Sequence, residues 1–222
     1  MRKEFVASVS HELKTPISLI DGYAGGLKDN IFEGEEKDFY LDIIMDEAKK
    51  MGHLVSDMMD LSQMESGSFT LTYEEFALAD LIRFTLKKYD ALIGEKPATL
   101  KTDLLDDIKV NADWNRLEQV ITNFVTNALR HVNENGTITV RMADQQDGVS
   151  VEIGNSGSHI ASQEIERIWD TFYKIDKSGN RKLGGTGIGL AIVKNILMLH
   201  HYPFGVENTA EGVKFYFIIP KG

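Results

Sequence analysis

Along the N-terminal third of the chain, apolar residues recur every third or fourth position; beyond it, helical spacing alternates with stretches in which every second residue is apolar. Leu13, Ile17, Ile20, Ala24 and Leu27 lie four, three, four and three apart, the seam of a helix that packs on other helices. The pattern weakens at Gly25-Gly26, and the helix is expected to end by Asp29-Asn30, before a short polar turn through Gly34. A second helix starts around Glu35, where Leu41, Ile44, Ala48, Met51, Val55 and Met58 repeat the spacing and Leu54 and Leu61 widen the stripe. At this spacing the methionines read as core packing, not as a ligand surface. Two such helices form an antiparallel hairpin, and a lone hairpin leaves its seam in water. Pairing with a second copy into a four-helix bundle would cover it, so a homodimer is expected.

The helical period stops in Ser62-Gln-Met-Glu-Ser-Gly-Ser68, the expected hinge, before the alternating stretch Phe69-Thr-Leu-Thr-Tyr73. This divides the chain into a helical hairpin, 1–65, and a second domain, 66–222. In the second domain the pattern predicts helices over 78–93, 113–131, 162–170 and 187–200. Strands are expected over 99–103, 108–111, 137–143, 149–154, 204–207 and 213–219, with Asp147-Gly148 turning one hairpin. The expected fold class is α+β: a hairpin that dimerises into a four-helix bundle, then an α/β sandwich with a mixed sheet.

Composition narrows the chemistry. Among 222 residues there is no cysteine, which excludes disulfides and thiolate metal sites and agrees with a reducing cytoplasm. A net charge of -10 argues against nucleic acid or an anionic membrane surface as the main partner. No apolar run reaches the ~18 residues of a membrane-spanning helix, and no signal peptide is evident. His11 stands close to Met1, and a helix carrying a reactive residue would ordinarily extend further upstream; a cytoplasmic fragment of a longer protein is the expectation.

His11 lies in Phe5-Val-Ala-Ser-Val-Ser-His-Glu-Leu-Lys-Thr-Pro-Ile17. Thr15 is four residues on, on the same helix face. Glu12, a quarter-turn away, could take or hold the proton on one imidazole nitrogen while the other attacks. Pro16 has no N–H for the Glu12 carbonyl, so a bend is expected just after the nucleophile. A zinc-protease motif would need a second His where Thr15 stands.

Gly184-Gly185-Thr186-Gly187-Ile188-Gly189-Leu190 is a glycine-rich turn running into an apolar helix, where backbone N–H groups can approach an anion. It is neither a Walker A loop, lacking Lys-Ser/Thr after the glycines, nor a Rossmann turn, lacking the preceding strand. Asn123 and Asn127 lie four apart on one helix face with Arg130 three further on. An amide oxygen can ligate Mg²⁺; alternatively these asparagines cap loops or fill polar core sites.

Ser10-His11-Glu12-Leu13-Lys14-Thr15-Pro16 resembles the phospho-acceptor box of bacterial two-component sensor histidine kinases. Asn123–His131, Val151-Glu-Ile-Gly-Asn155-Ser-Gly157, Ile168-Trp-Asp-Thr-Phe172-Tyr173-Lys174 and the glycine turn resemble, in order, the N, G1, F and G2 boxes of the histidine-kinase ATP domain. The resemblance covers nearly the whole chain. It implies that Asn127 ligates Mg²⁺ with Asn123 supporting it, that Arg130 contacts phosphate, and that Lys174 meets the γ-phosphate. Asn155, Gly157, Tyr173, Gly185, Thr186, Gly187, Gly189 and Leu190 would complete the ATP site, under a lid over 175–183 that carries Lys177, Arg181 and Lys182. Two positions depart from the pattern: Asn155 stands for the usual adenine-binding Asp, an uncharged acceptor, and His159 for a glycine.

The implied function is ATP-dependent autophosphorylation of His11, then phosphotransfer to an aspartate of a response regulator. Thr15 would position water for the reverse, phosphatase reaction, with His11, Glu12, Thr15 and Lys174 as the catalytic set, ATP and Mg²⁺ as cofactors, and the full-length protein in the cell membrane. The competing readings are a non-catalytic dimeric scaffold with weak nucleotide binding and an ATP-hydrolysing conformational machine.

Overall fold

A computed structural model describes residues 2–175 and 186–221. Helices α1 (Arg2–Lys28) and α2 (Glu35–Glu65) form the hairpin. Its turn is closed by the Ile31 N–H donating to the Gly26 carbonyl at 2.9 Å and by Phe32 and Tyr23 stacking on Tyr40. The predicted seam stays open within one chain, since Ile17, Leu41 and Val55 are 50%, 40% and 45% exposed. The C-terminal end of α2 differs: Leu54, Leu61 and Met64 are buried in the core of the second domain. That burial carries the helix through 62–65, so the expected break begins only at Ser66, whose hydroxyl donates to the Gln63 carbonyl at 2.9 Å.

The second domain opens with β1 (Glu74–Ala77), then α3 (Leu78–Lys88), α4 (Asp90–Gly94), β2 (Thr99–Asp103) and β3 (Lys109–Ala112). It continues through α5 (Trp114–His131), β4 (Thr137–Gln145), β5 (Gly148–Ser156), a 3₁₀ turn (Arg167–Trp169), α6 (Gly189–Leu199), β6 (Phe204–Asn208) and β7 (Gly212–Pro220). The main sheet has the order β2-β4-β5-β7-β6. It is mixed because β2 and β4 run parallel while the other neighbours are antiparallel. A parallel pair needs a crossover, which α5 supplies. Strands β1 and β3 form a separate antiparallel pair. Helix α5 buries Leu117, Val120, Ile121, Phe124, Val125 and Ala128 at helical spacing, and Phe124 stacks on Phe215 of β7 at 5.2 Å.

Two predicted helices are corrected. The one over 78–93 is divided at Tyr89, which ends α3 and precedes α4. The one over 162–170 is a series of turns and the 3₁₀ turn, in which the consecutive residues Ile168 and Trp169 are both buried and Trp169 stacks edge-on against Phe204 and Phe215. Anchoring adjacent side chains in one core overrides helical propensity there. Strand β1 was not predicted; its exposure pattern does not alternate, and the alternation at 69–73 precedes it.

A buried knot joins the linker to the start of α5 and the end of α6. The Asp113 carboxylate caps α5 through the Arg116 N–H at 3.0 Å and accepts from the Thr72 N–H at 2.9 Å. The Asp113 N–H in turn donates to His200 Nε2 at 3.2 Å, and His200 Nδ1 donates to the Ile196 carbonyl at 2.8 Å. Burial pushes His200 below its usual 6.5, outweighing the Ile196 hydrogen bond and the Asp113 charge, which both favour the imidazolium. Beside it, burial and the neighbouring Tyr73 push the Tyr202 phenol up to about 12. The unfolded chain takes up the His200 proton first, so this contribution is complete above the usual value and lost as pH falls below it. The unfolding free energy from urea titrations should therefore drop between pH 7.5 and 5.5 by up to about 1.4 kcal/mol per pH unit in the wild-type chain, and a His200→Gln variant should lose that part of the slope.

Candidate functional site

Helix α5 places Asn123, Asn127 and Arg130 on one half-buried face beside the start of α6. Asn123 Nδ2 donates to the Gln119 carbonyl at 2.9 Å, which turns its Oδ1 toward Gly189. A Cβ at Gly189 would lie 2.4 Å from that oxygen, so the helices meet closely only because position 189 has no side chain. Among the described residues no hydrogen bond reaches the side chain of Asn127 and no carboxylate pairs with Arg130. Burial lowers the Arg130 guanidinium from its usual value. A desolvated cation without a counter-charge suits an anion.

The glycine turn and the Phe172 turn lock together. The Phe172 N–H donates to the Gly187 carbonyl at 2.8 Å, with both residues in the left-handed region at φ 65° and 72°. A Cβ on Gly187 would approach the Phe172 backbone to 2.8 Å. The Ile188 N–H reaches the Thr186 hydroxyl at 3.3 Å, Leu190 is half-buried in the first turn of α6, and Arg167 stacks over the Tyr173 ring at 4.4 Å. Gly184, Gly185, Lys177, Arg181 and Lys182 lie outside the described residues.

Asn155 is buried in β5, where its Nδ2 donates to the Ser156 carbonyl at 3.2 Å. Among the described residues no donor reaches its Oδ1, which leaves that oxygen available as an acceptor. Gly157 follows, its N–H donating to the Glu211 carbonyl at 3.0 Å. His159 shares a hydrogen bond of 2.7 Å with the Thr209 carbonyl, and Asn208 makes two with the Ile160 backbone, at 2.9 and 2.8 Å. His159 thus fastens the loop after β5 to the turn between β6 and β7.

On the hairpin, His11 is exposed and borders a shallow cleft with Lys14, Thr15, Ser18 and Leu19. Lys174 reaches this helix, a contact that no spacing along the chain encodes. Its Nζ donates to Glu12 Oε1 at 2.7 Å, with the two side chains 37% and 27% exposed. A second tie was also unforeseen: Arg116 on α5 grips Asp60 of α2 through both nitrogens, at 2.5 and 3.4 Å, and lies over the Phe69 ring at 4.4 Å.

Among the described residues no group of three His, Cys, Asp or Glu side chains could hold a metal ion, whereas Asn127 offers the neutral oxygen a hard cation accepts alongside phosphate oxygens. Among the described residues no helix is long and apolar enough to cross a membrane.

Comparison with known proteins agrees with this arrangement. Residues 1–67 match the His Kinase A (phospho-acceptor) domain, and residues 112–222 match the histidine kinase-, DNA gyrase B- and HSP90-like ATPase. Over 99% of its length the chain is 31% identical to the sensor histidine kinase YclK of Bacillus subtilis and 30% identical to WalK of the same organism. It spans 46% and 36% of those two relatives. The histidine kinase ThkA, in complex with the response regulator protein TrrA, superposes with a TM-score of 0.79 at 29% identity, covering 99% of this chain and 61% of ThkA. The Acinetobacter baumannii histidine kinase AdeS shares the fold over 95% of this chain and 97% of its own, with a TM-score of 0.79 at 24% identity. An ATPase-type domain behind a phospho-acceptor hairpin, with relatives named for the same activity, places the chain in the family of bacterial two-component sensor histidine kinases.

Proposed function

We propose that this chain is the catalytic core of a sensor kinase that phosphorylates itself on His11 from ATP and passes the phosphoryl group to a response-regulator aspartate. The observation that supports it most is the reach of Lys174: a residue two positions from the glycine-turn lock touches the residue next to His11. In the reaction one imidazole nitrogen of His11 attacks the γ-phosphorus, the bond to the β,γ-bridging oxygen breaks, and ADP leaves. The proton on the other nitrogen passes to Glu12. Phosphoryl transfer depends on in-line positioning and charge neutralisation. Arg130 and Lys174 would supply positive charge, and the backbone of the turn at Thr186, Gly187 and Gly189 would cradle phosphate. Asn127, supported by Asn123, would hold Mg²⁺, which neutralises phosphate charge when bound. Asn155 would accept from the adenine amino group, with Gly157, Tyr173, Leu190 and Gly185 lining the site. As a lysine, residue 174 makes a point contact where an arginine would make two.

Incubation with γ-labelled ATP and Mg²⁺ tests this reading: acid-labile, base-stable label should map to His11. A well-folded dimer that binds ATP yet stays unlabelled would favour a docking scaffold. Thr15, on the His11 face, would orient water for the phosphatase reaction on the regulator. The relatives' greater length supports a core within a longer protein; the core would be cytoplasmic, the whole protein in the cell membrane, and the boundary between its phosphotransfer and ATP-binding parts at 65/66. The open seam also supports a homodimer. Ile17→Asp or Val55→Asp should therefore convert the dimer to monomer by light scattering, since each would bury a charge in the bundle core; a dimer of unchanged mass would sink that assignment.

A further inference from the structure

The ion pair between Lys174 and Glu12 joins the two groups that the reaction needs apart. On the function proposed above, Glu12 must take a proton from His11 and Lys174 must face the γ-phosphate, yet each occupies the other at 2.7 Å. Lys174 cannot retreat far along its backbone. Phe172 is hydrogen-bonded to Gly187 and Tyr173 lies under Arg167, so the residue is held at the seam between the nucleotide turn and α1. Its flexible four-carbon stem is the part able to move.

We infer that Lys174 is an exchangeable cation, bound to Glu12 before ATP arrives and drawn to the γ-phosphate when it enters. Nucleotide then breaks the contact between the domain and α1, and the same event frees Glu12 to serve His11. The competition is electrostatic: a terminal phosphate presents more charge and more acceptor oxygens than one half-exposed carboxylate. ADP, lacking the γ-phosphate, leaves the pair closed. By reciprocity, whatever the pair costs ATP binding, ATP costs the pair. In its closed form the contact is autoinhibitory, since both the proton acceptor and the γ-phosphate ligand are engaged.

A binding cycle tests it, with AMPPNP and ADP titrated calorimetrically, with Mg²⁺, into the wild-type chain, Glu12→Gln, Lys174→Met and the double variant. Glu12→Gln should bind AMPPNP about three-fold tighter, the size expected of a half-exposed ion pair, with ADP affinity unchanged. In the Lys174→Met background the Glu12 change should have no effect on either ligand. Equal gains for both nucleotides, no gain for AMPPNP, or a gain that persists without Lys174 would overturn the exchange. A wild-type chain that binds neither nucleotide would refute the nucleotide site itself, and this inference with it.

Discussion

His11→Gln should leave the protein without acid-labile phosphate while its affinities for ATP and ADP stay within about two-fold of wild type. The two functions sit on different elements. His11 is an exposed residue of α1, whereas the groups proposed to face phosphate belong to α5, α6, the turn before α6 and the Phe172 turn that carries Lys174. Glutamine keeps the length and polarity of the side chain but has no nucleophilic nitrogen, so the loss is of chemistry and not of fold. Thermal stability should be unchanged, as is usual for an exposed position. The checks are phosphate mapping after labelling and calorimetric titration of both nucleotides on one preparation. Simultaneous loss of nucleotide binding would show that the two functions had been assigned to the wrong elements.

Gly187→Val should weaken ATP binding by about 10- to 100-fold and leave most of the domain folded. The backbone at 187 has φ 72°, and a Cβ would stand 2.8 Å from the carbonyl carbon and Cα of Phe172. A branched residue there either carries about 1–3 kcal/mol of backbone strain or swings the turn away from Phe172. Each 1.4 kcal/mol diverted from binding is a factor of ten. The second outcome also displaces Lys174, which follows Phe172 in the chain. Fluorescent-nucleotide titration and a thermal melt separate the effects; ATP affinity equal to wild type would show that the lock does not shape the site.

Helix α5 and strands β2 and β4 were legible because the local pattern agrees with the packing there: an apolar face at helical spacing over 113–131 and β2 at the predicted 99–103, whereas the parallel pairing of β2 with β4 was not. The segment 162–170 was not, because its short helical pattern competes with the burial of Trp169 between β6 and β7, which no local spacing encodes. Strand β1 carries a weak pattern and exists through its pairing with β3, including an exposed Lys109–Glu75 ion pair at 2.9 Å. Among the site residues, Asn123 and Gly189 were each legible as types, but their mutual contact was not. The pairing of Lys174 with Glu12 lay beyond sequence reading altogether: it joins positions far apart in the chain through the packing of α2 on the second domain.

The hydrogen bond between Phe172 and Gly187 also fixes the two ends of the chain that runs from 173 to 186. The bond joins main-chain groups, so it depends on the left-handed backbone at both residues and not on what either side chain touches. Asparagine at 172, which tolerates that region, should keep the anchor, whereas a β-branched residue should loosen it.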